Sequence, residues 1–174
     1  MERKERLMRE VALSKSERFV RAMIQHYNEA KYWKYRTEVI SCGRGILSKL
    51  ICKVKLLYIK RCDAFNNATL GTHLGFGASF ADIPHLPHGL YGIVVTHNAV
   101  IGKNVTIYHQ VTIGQGKDGA PKIGDDVQIG AGAIIIGNVV IGNRVKIGAG
   151  CVVTVSIPDD ATVVMEKPKI ILKR

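Results

Sequence analysis

The chain has 174 residues, 47% of them hydrophobic and only 6% aromatic, with a formal net charge of +11. This length and apolar content suit one ordinary domain with its own core and exclude a disordered chain. No stretch reaches the roughly 20 apolar residues of a membrane span, and the charged start, Met1-Glu2-Arg3-Lys4, is unlike a signal segment, so we expect a cytoplasmic protein.

Residues 1–62 read as a basic helical segment. They hold 16 of the 25 Lys and Arg and 6 of the 14 Asp and Glu, so almost all of the net charge resides there. Ser14 with Glu17 three residues later resembles a capping box, and Phe19, Val20, Met23, Ile24 and Tyr27 then share one helical face. After Tyr32-Trp33-Lys34-Tyr35, Gly43 and Gly45 interrupt the pattern, and a second helix is expected from about Ile46 to Arg61. Its stripe of Leu47, Leu50, Ile51, Val54 and Leu57 is expected to pack on neighbouring elements, leaving Lys49, Lys53, Lys55, Lys60 and Arg61 in solvent. Peripheral contact with an anionic membrane is the alternative use of such a helix. No binding motif or stacking platform accompanies the charge, so nucleic acid is not an expected partner.

Residues 63–164 read as a mainly β solenoid. From Val95 a branched aliphatic residue recurs every six positions, at Ile101, Ile107 and Ile113, then at Ile123, Ile129, Ile135, Ile141, Ile147 and Val153. A small or apolar residue follows four positions later, at Ala99, Val105, Val111, Val127, Ala133, Val139, Val145, Cys151 and Ile157. A period of six fits neither a helix nor an alternating strand pair; it fits a chain wound into short parallel strands. Three such faces make one coil, so Ile123 should stack on Ile141, Ile129 on Ile147 and Ile135 on Val153. Between residues 63 and 94, Leu74-Gly75-Phe76-Gly77-Ala78-Ser79 and Phe80-Ala81-Asp82-Ile83-Pro84 look like degenerate turns of the same repeat. The register breaks once, where ten residues instead of six separate Ile113 from Ile123; the excess should protrude as a loop near residues 114–122. Asp159-Asp160 and the basic tail from Lys167 to Arg174 are expected to end the solenoid, the tail segment spanning 165–174.

Six histidines, at 26, 73, 85, 88, 97 and 109, are the groups best able to take a proton near neutral pH. His85 and His88 could form a metal pair, but they lack a nearby third ligand. Cys42, Cys52, Cys62 and Cys151 show no paired spacing and read as free thiols in a reducing compartment, so no metal site is expected. Cys151 occupies a small-residue position of the repeat and should point inward. There is no Gly-x-Ser-x-Gly elbow and no Walker or dinucleotide glycine loop, because the glycines follow the six-residue period.

The runs Leu86-Pro87-His88-Gly89-Leu90-Tyr91-Gly92-Ile93-Val94-Val95, Ala99-Val100-Ile101-Gly102-Lys103-Asn104-Val105, Val111-Thr112-Ile113-Gly114, Pro121-Lys122-Ile123-Gly124 and Ile129-Gly130-Ala131-Gly132-Ala133 carry a family resemblance over about residues 70–172. The chain resembles the hexapeptide-repeat acetyltransferases, closest to the serine O-acetyltransferases and bacterial sugar O-acetyltransferases. That resemblance implies a left-handed parallel β-helix, a homotrimer, and acetyl-CoA bound between neighbouring subunits. It implies direct transfer of acetyl to an acceptor hydroxyl, with His88 as general base and backbone N–H groups facing the oxyanion. Gly114, Ala131 and Ala149 match positions along the pantetheine arm, and Lys169 matches a group near the nucleotide phosphates. His109 is a candidate acceptor-binding residue.

Departures from the family pattern bear on the acceptor. Serine acetyltransferases carry an Asp that orients the base, where this chain has Gly71, and a His before Pro-Lys-Ile, where it has Ala120. Asp82 is the candidate substitute for the missing acid and a second candidate for binding the acceptor. A sugar or polysaccharide precursor is therefore the expected acceptor, with L-serine as the alternative. A non-catalytic trimeric scaffold is the alternative from another class. A carbonic anhydrase built on His88, His97 and His109 would need a spacing these residues lack.

Overall fold

The computed structural model describes residues 20, 23, 24 and 26–166. Ser14, Glu17, Phe19 and Lys169 lie outside them, with the expectations attached to those positions. Among the described residues the helices α1 (Glu29–Ile40) and α2 (Ile46–Phe65) precede a left-handed β-solenoid of about four turns. Asn28 starts α1 by accepting a hydrogen bond from the Lys31 N–H at 3.0 Å.

The six-residue period becomes three parallel faces. The first stacks Thr69–Leu70, Val94–Val95, Thr112–Gly114, Ile134–Ile136 and Val152–Val153. The second stacks Thr106–Ile107, Gln128–Ile129, Lys146–Ile147 and Thr162–Val163, preceded by a bridge from His85 to Thr106. The third stacks Ser79–Phe80, Val100–Ile101, Lys122–Ile123 and Val140–Ile141, extended by a bridge from Ile141 to Ile157. All three anticipated contacts form: Ile123 pairs with Ile141, Ile129 with Ile147 and Ile135 with Val153. Every aliphatic residue of the register, from Val95 to Val153, is at most 3% exposed. Cys151 is buried among them.

The four-residue excess leaves the stack undisturbed. Ile101 still pairs with Ile123, Ile107 with Ile129 and Ile113 with Ile135. The surplus is shed as a loop whose neck closes through the Gly116 N–H and the Gly119 carbonyl at 2.9 Å. At the corner after the third face, Asn104, Asp126, Arg144 and Asp160 adopt left-handed φ of 50–59°. Their side chains run a polar ladder along the edge: Asn104 donates to Asp126 at 2.7 Å, and Arg144 grips Asp160 at 2.6 and 2.7 Å.

Three expectations need correction. The coil begins at Thr69, and Leu74-Gly75 is not a turn of it; these residues tip an antiparallel hairpin of Thr72–His73 and Phe76–Gly77. Asp159-Asp160 does not end the solenoid, because it is a corner followed by Thr162–Val163 on the second face. The stripe on α2 is not packed: Leu47, Leu50, Ile51, Val54 and Leu57 are 46–71% exposed. The helix instead buries Cys52, Ile59, Cys62 and Asp63, and it runs on to Phe65. The apolar arc was read correctly as amphipathic, but within one chain the opposite arc meets α1 and the first coil.

That contact is polar at its centre. Arg36 reaches from α1 to donate to the Leu70 carbonyl at 3.1 Å and the Ala78 carbonyl at 2.5 Å, with its guanidinium 4.6 Å from the Phe80 ring centre. Tyr32 donates to Asp63 of α2 at 2.7 Å. Burial pushes the Asp63 carboxyl up to about 6, against the opposing pull of the Tyr32 hydrogen bond and the charges of Lys60 and Arg36. Among the described residues no helix is long and apolar enough to cross a membrane.

Gly71 turns the chain from the first face into the hairpin at φ +60, and a Cβ there would lie 2.7 Å from the His97 Cα and 2.8 Å from the His97 N. Two predictions follow from these positions. Gly71→Asp should lower stability by about 2–4 kcal/mol, since strain and a backbone clash coincide; a urea unfolding midpoint equal to that of the parent would refute this. For Asp63 the folded pKa lies above the unfolded one, so the native state binds the proton more readily and its contribution falls as pH rises from about 4 to 6. Between pH 5 and pH 7 the native chain should lose about 1 kcal/mol relative to Asp63→Asn, measured as the difference between their unfolding free energies at each pH.

Candidate active site

His88 stands on a tight turn whose shape is fixed from below. Leu90 is fully buried, Gly89 and Gly92 take φ of 69° and 66°, and the Gly92 N–H donates to the Asn66 carbonyl at 2.8 Å. Asn66 follows the last residue of α2 and is itself held by its side-chain amide on the Cys62 carbonyl at 2.8 Å. The helix terminus thus sets the height of the His88 turn. Such a turn lifts a polar side chain out of the core while its backbone remains bonded.

His109 arrives from the next coil. Its corner, Tyr108-His109-Gln110, is turned by Gln110 at φ 59° and tied to the turn above by the Gln110 N–H on the Tyr91 carbonyl at 3.0 Å. The two rings meet with Nδ1 of His88 2.5 Å from Nδ1 of His109. At that separation one imidazole donates and the other accepts. Tyr108 sets the edge of this pair, in a T-shaped contact with the His88 ring at 5.8 Å. The pair opens onto a cavity of about 460 Å³ lined by Ile24, Phe65, Asn66, His88, Tyr91 and His109. This volume lies in the range of small-molecule sites.

His109, Ala131 and Ala149 occupy equivalent places in successive coils. The Gly132 N–H donates to the His109 carbonyl at 3.0 Å, and the Gly150 N–H to the Ala131 carbonyl at 2.8 Å. The result is a column of small residues running down one edge from the imidazole pair. Gly114 sits on the first face at the root of the protruding loop, in register with Ile136. Asp82 is exposed on the turn after Ser79–Phe80, and no hydrogen bond or ion pair joins it to His88; among the described residues the side-chain hydrogen bond of His88 goes to His109. His97 belongs elsewhere, packed 5.5 Å from His73 and 5.6 Å from Phe76. Among the described residues no three His, Cys, Asp or Glu could hold a metal ion.

Sequence reasoning placed His88 and His109 in one site without placing them in contact. It missed Phe65, Asn66 and Tyr91 as walls. Tyr91 lies within the run that carries the family resemblance, but nothing in the helical pattern marks Phe65 or Asn66.

Comparison with known proteins agrees with this architecture. The family described as Bacterial transferase hexapeptide (six repeats) matches residues 120–154. The chain is 48% identical over 86 residues to the Escherichia coli K12 protein named "Putative colanic acid biosynthesis acetyltransferase WcaB", covering 48% of this chain and 52% of that one. It is 37% identical over 123 residues to the serine acetyltransferase of Staphylococcus aureus Mu50, covering 68% and 57%. Among solved structures, serine acetyltransferase isoform 3 of Entamoeba histolytica in complex with cysteine superimposes with a TM-score of 0.65 at 28% identity, over 97% of this chain and 57% of that one. The chain thus spans little more than half the length of these relatives. It carries the hexapeptide repeat and is similar, over about half of their length, to serine acetyltransferases and to an acetyltransferase named for colanic acid biosynthesis.

Proposed function

We propose that the chain transfers an acetyl group directly from acetyl-CoA to an acceptor hydroxyl. The observation that carries this reading is the His88–His109 imidazole pair at the mouth of a cavity, above an edge of small residues. His88 takes the proton from the acceptor hydroxyl, the oxygen attacks the thioester carbonyl, and the departing thiolate recovers the proton. Direct transfer agrees with the buried position of Cys151, which is 3% exposed in the core. The edge bearing Ala131 and Ala149 supports a donor site, since small side chains let a long, thin arm lie against backbone groups. Gly114 would border that arm from the loop root. Lys169 is retained from the family likeness as a contact for the nucleotide phosphates.

The same reading makes the protein a homotrimer. Val94, Ile136 and Val152 on the first face and Val100 and Val140 on the third are 39–63% exposed in the single chain, aliphatics that sister solenoids would cover. The donor site then lies between subunits. Four free cysteines support a reducing, cytoplasmic setting.

For the acceptor we favour a sugar hydroxyl, on a polysaccharide precursor. The likeness to the colanic acid biosynthesis protein supports this, as does the inability of position 71 to hold an orienting acid. The exposed arc and lysines of α2 suit an anionic glycan or a membrane-borne intermediate. The serine acetyltransferase relatives favour L-serine as the second reading.

Three measurements test the proposal. With acetyl-CoA as donor, thiol release should accelerate on adding members of a sugar panel and stay at background with L-serine; the reverse pattern would establish the second reading. His88→Ala should lower turnover by about 10²–10⁴, and unchanged turnover would remove His88 from the chemistry. In sedimentation, the chain should run at three times its 19.1 kDa mass; a monomer would leave the donor edge without its other wall.

A further inference from the structure

A general base on a histidine needs its other ring nitrogen held, so that the proton stays off the nitrogen doing the chemistry. A carboxylate is the usual holder, and among the described residues none is bonded to His88. Position 71 is glycine at φ +60, and its absent Cβ would collide with the backbone of Thr96 and His97, so no acidic side chain fits there. Asp82 does not bond to His88. The atom that faces His88 Nδ1 is Nδ1 of a second imidazole, 2.5 Å away.

We infer that His109 is the positioning residue for His88, its Nδ1 accepting the His88 Nδ1–H so that His88 Nε2 is the free basic nitrogen. The inference rests on the reading of His88 as the base and assigns His109 a task other than gripping the acceptor. When His88 Nε2 takes the acceptor proton, the O–H bond breaks and an N–H bond forms, leaving an imidazolium. Its Nδ1–H already points at the lone pair of His109, which spreads the positive charge over two rings. That proton stays within the pair, and the one on Nε2 returns to the departing thiolate, so the atoms balance.

An imidazole differs from a carboxylate here in one respect. It can also donate. If the shared hydrogen sits on His109, His88 Nε2 carries the other and the base is lost. The backbone fixes the geometry of the choice: the Gln110 N–H on the Tyr91 carbonyl and the Gly132 N–H on the His109 carbonyl anchor the corner from which the His109 ring meets His88, the two planes tilted by 47°.

Three variants of the full chain separate this role from a structural one. His109→Phe keeps the ring and removes the acceptor, His109→Asp restores a carboxylate, and His109→Asn offers an amide oxygen. Positioning predicts a fall in kcat of about ten- to a hundredfold for Phe, partial recovery with Asn, and the highest activity of the three with Asp, all with unchanged KM for the acceptor. A packing role predicts the opposite order, and an acceptor-binding role predicts a raised KM at constant kcat; either result overturns the inference. A second readout is independent of turnover. With ¹⁵N-labelled histidine, and the His88 resonances assigned by their loss in His88→Asn, the proton should sit on Nδ1 in the parent and shift toward Nε2 in His109→Phe. A proton on Nε2 of His88 in the parent refutes the inference even if the chain is an active acetyltransferase. An inactive chain whose His88 carries Nδ1–H would instead sink the proposed activity and leave the pair standing.

Discussion

Everything in this molecule depends on the removal of apolar side chains from water, applied at a fixed interval. Ten branched residues point to a common axis, and each sits directly over its counterpart in the next coil. Burying one such side chain contributes about 1.5–3 kcal/mol, and a β-branched chain has little rotamer freedom to lose when it does so. Because every coil contacts only its neighbours, the stabilisation is local and repeated. Position along the axis is therefore set by coil number alone, and residues far apart in sequence become edge neighbours. His88 and His109, Ala131 and Ala149 fall into place along one edge for that reason.

The helices solve a different problem. A solenoid has two open ends whose strand edges and apolar interior need cover. Here α1 and α2 cap the first coil, and the contact turns on Arg36 and Asp63 instead of on apolar packing alone. Arg36 satisfies carbonyls of the first coil that have no coil above them. The cap also shapes the candidate site, because its last residues, Phe65 and Asn66, line the cavity and carry the His88 turn. The helical segment and the solenoid are thus one site-forming unit.

The sequence made the solenoid legible because its signal is periodic and physical: only one arrangement places Ile101, Ile123 and Ile141 in contact. The loop was legible as a counting error in that period. The arc of α2 was legible as apolar but its neighbour was not, since amphipathicity says that a face seeks cover without saying what provides it. The hairpin at Thr72–His73 was hidden because it hangs on the backbone angle of Gly71, which pairs of residues in sequence do not encode. For the site, His88 stood out through the family likeness. Its contact with His109 was not read, although the two positions lie close to one coil length apart.

The neck between Gly116 and Gly119 has a further meaning for how such a protein can change. Four surplus residues enter the winding there, and the strands on either side meet their partners as if nothing had been added. A corner of this architecture is therefore a splice point: foreign peptide can be grafted into it, or trimmed from it, without shifting the frame of any coil that follows. Selection can rewrite what borders the edge of small residues while the column of isoleucines stays as it is.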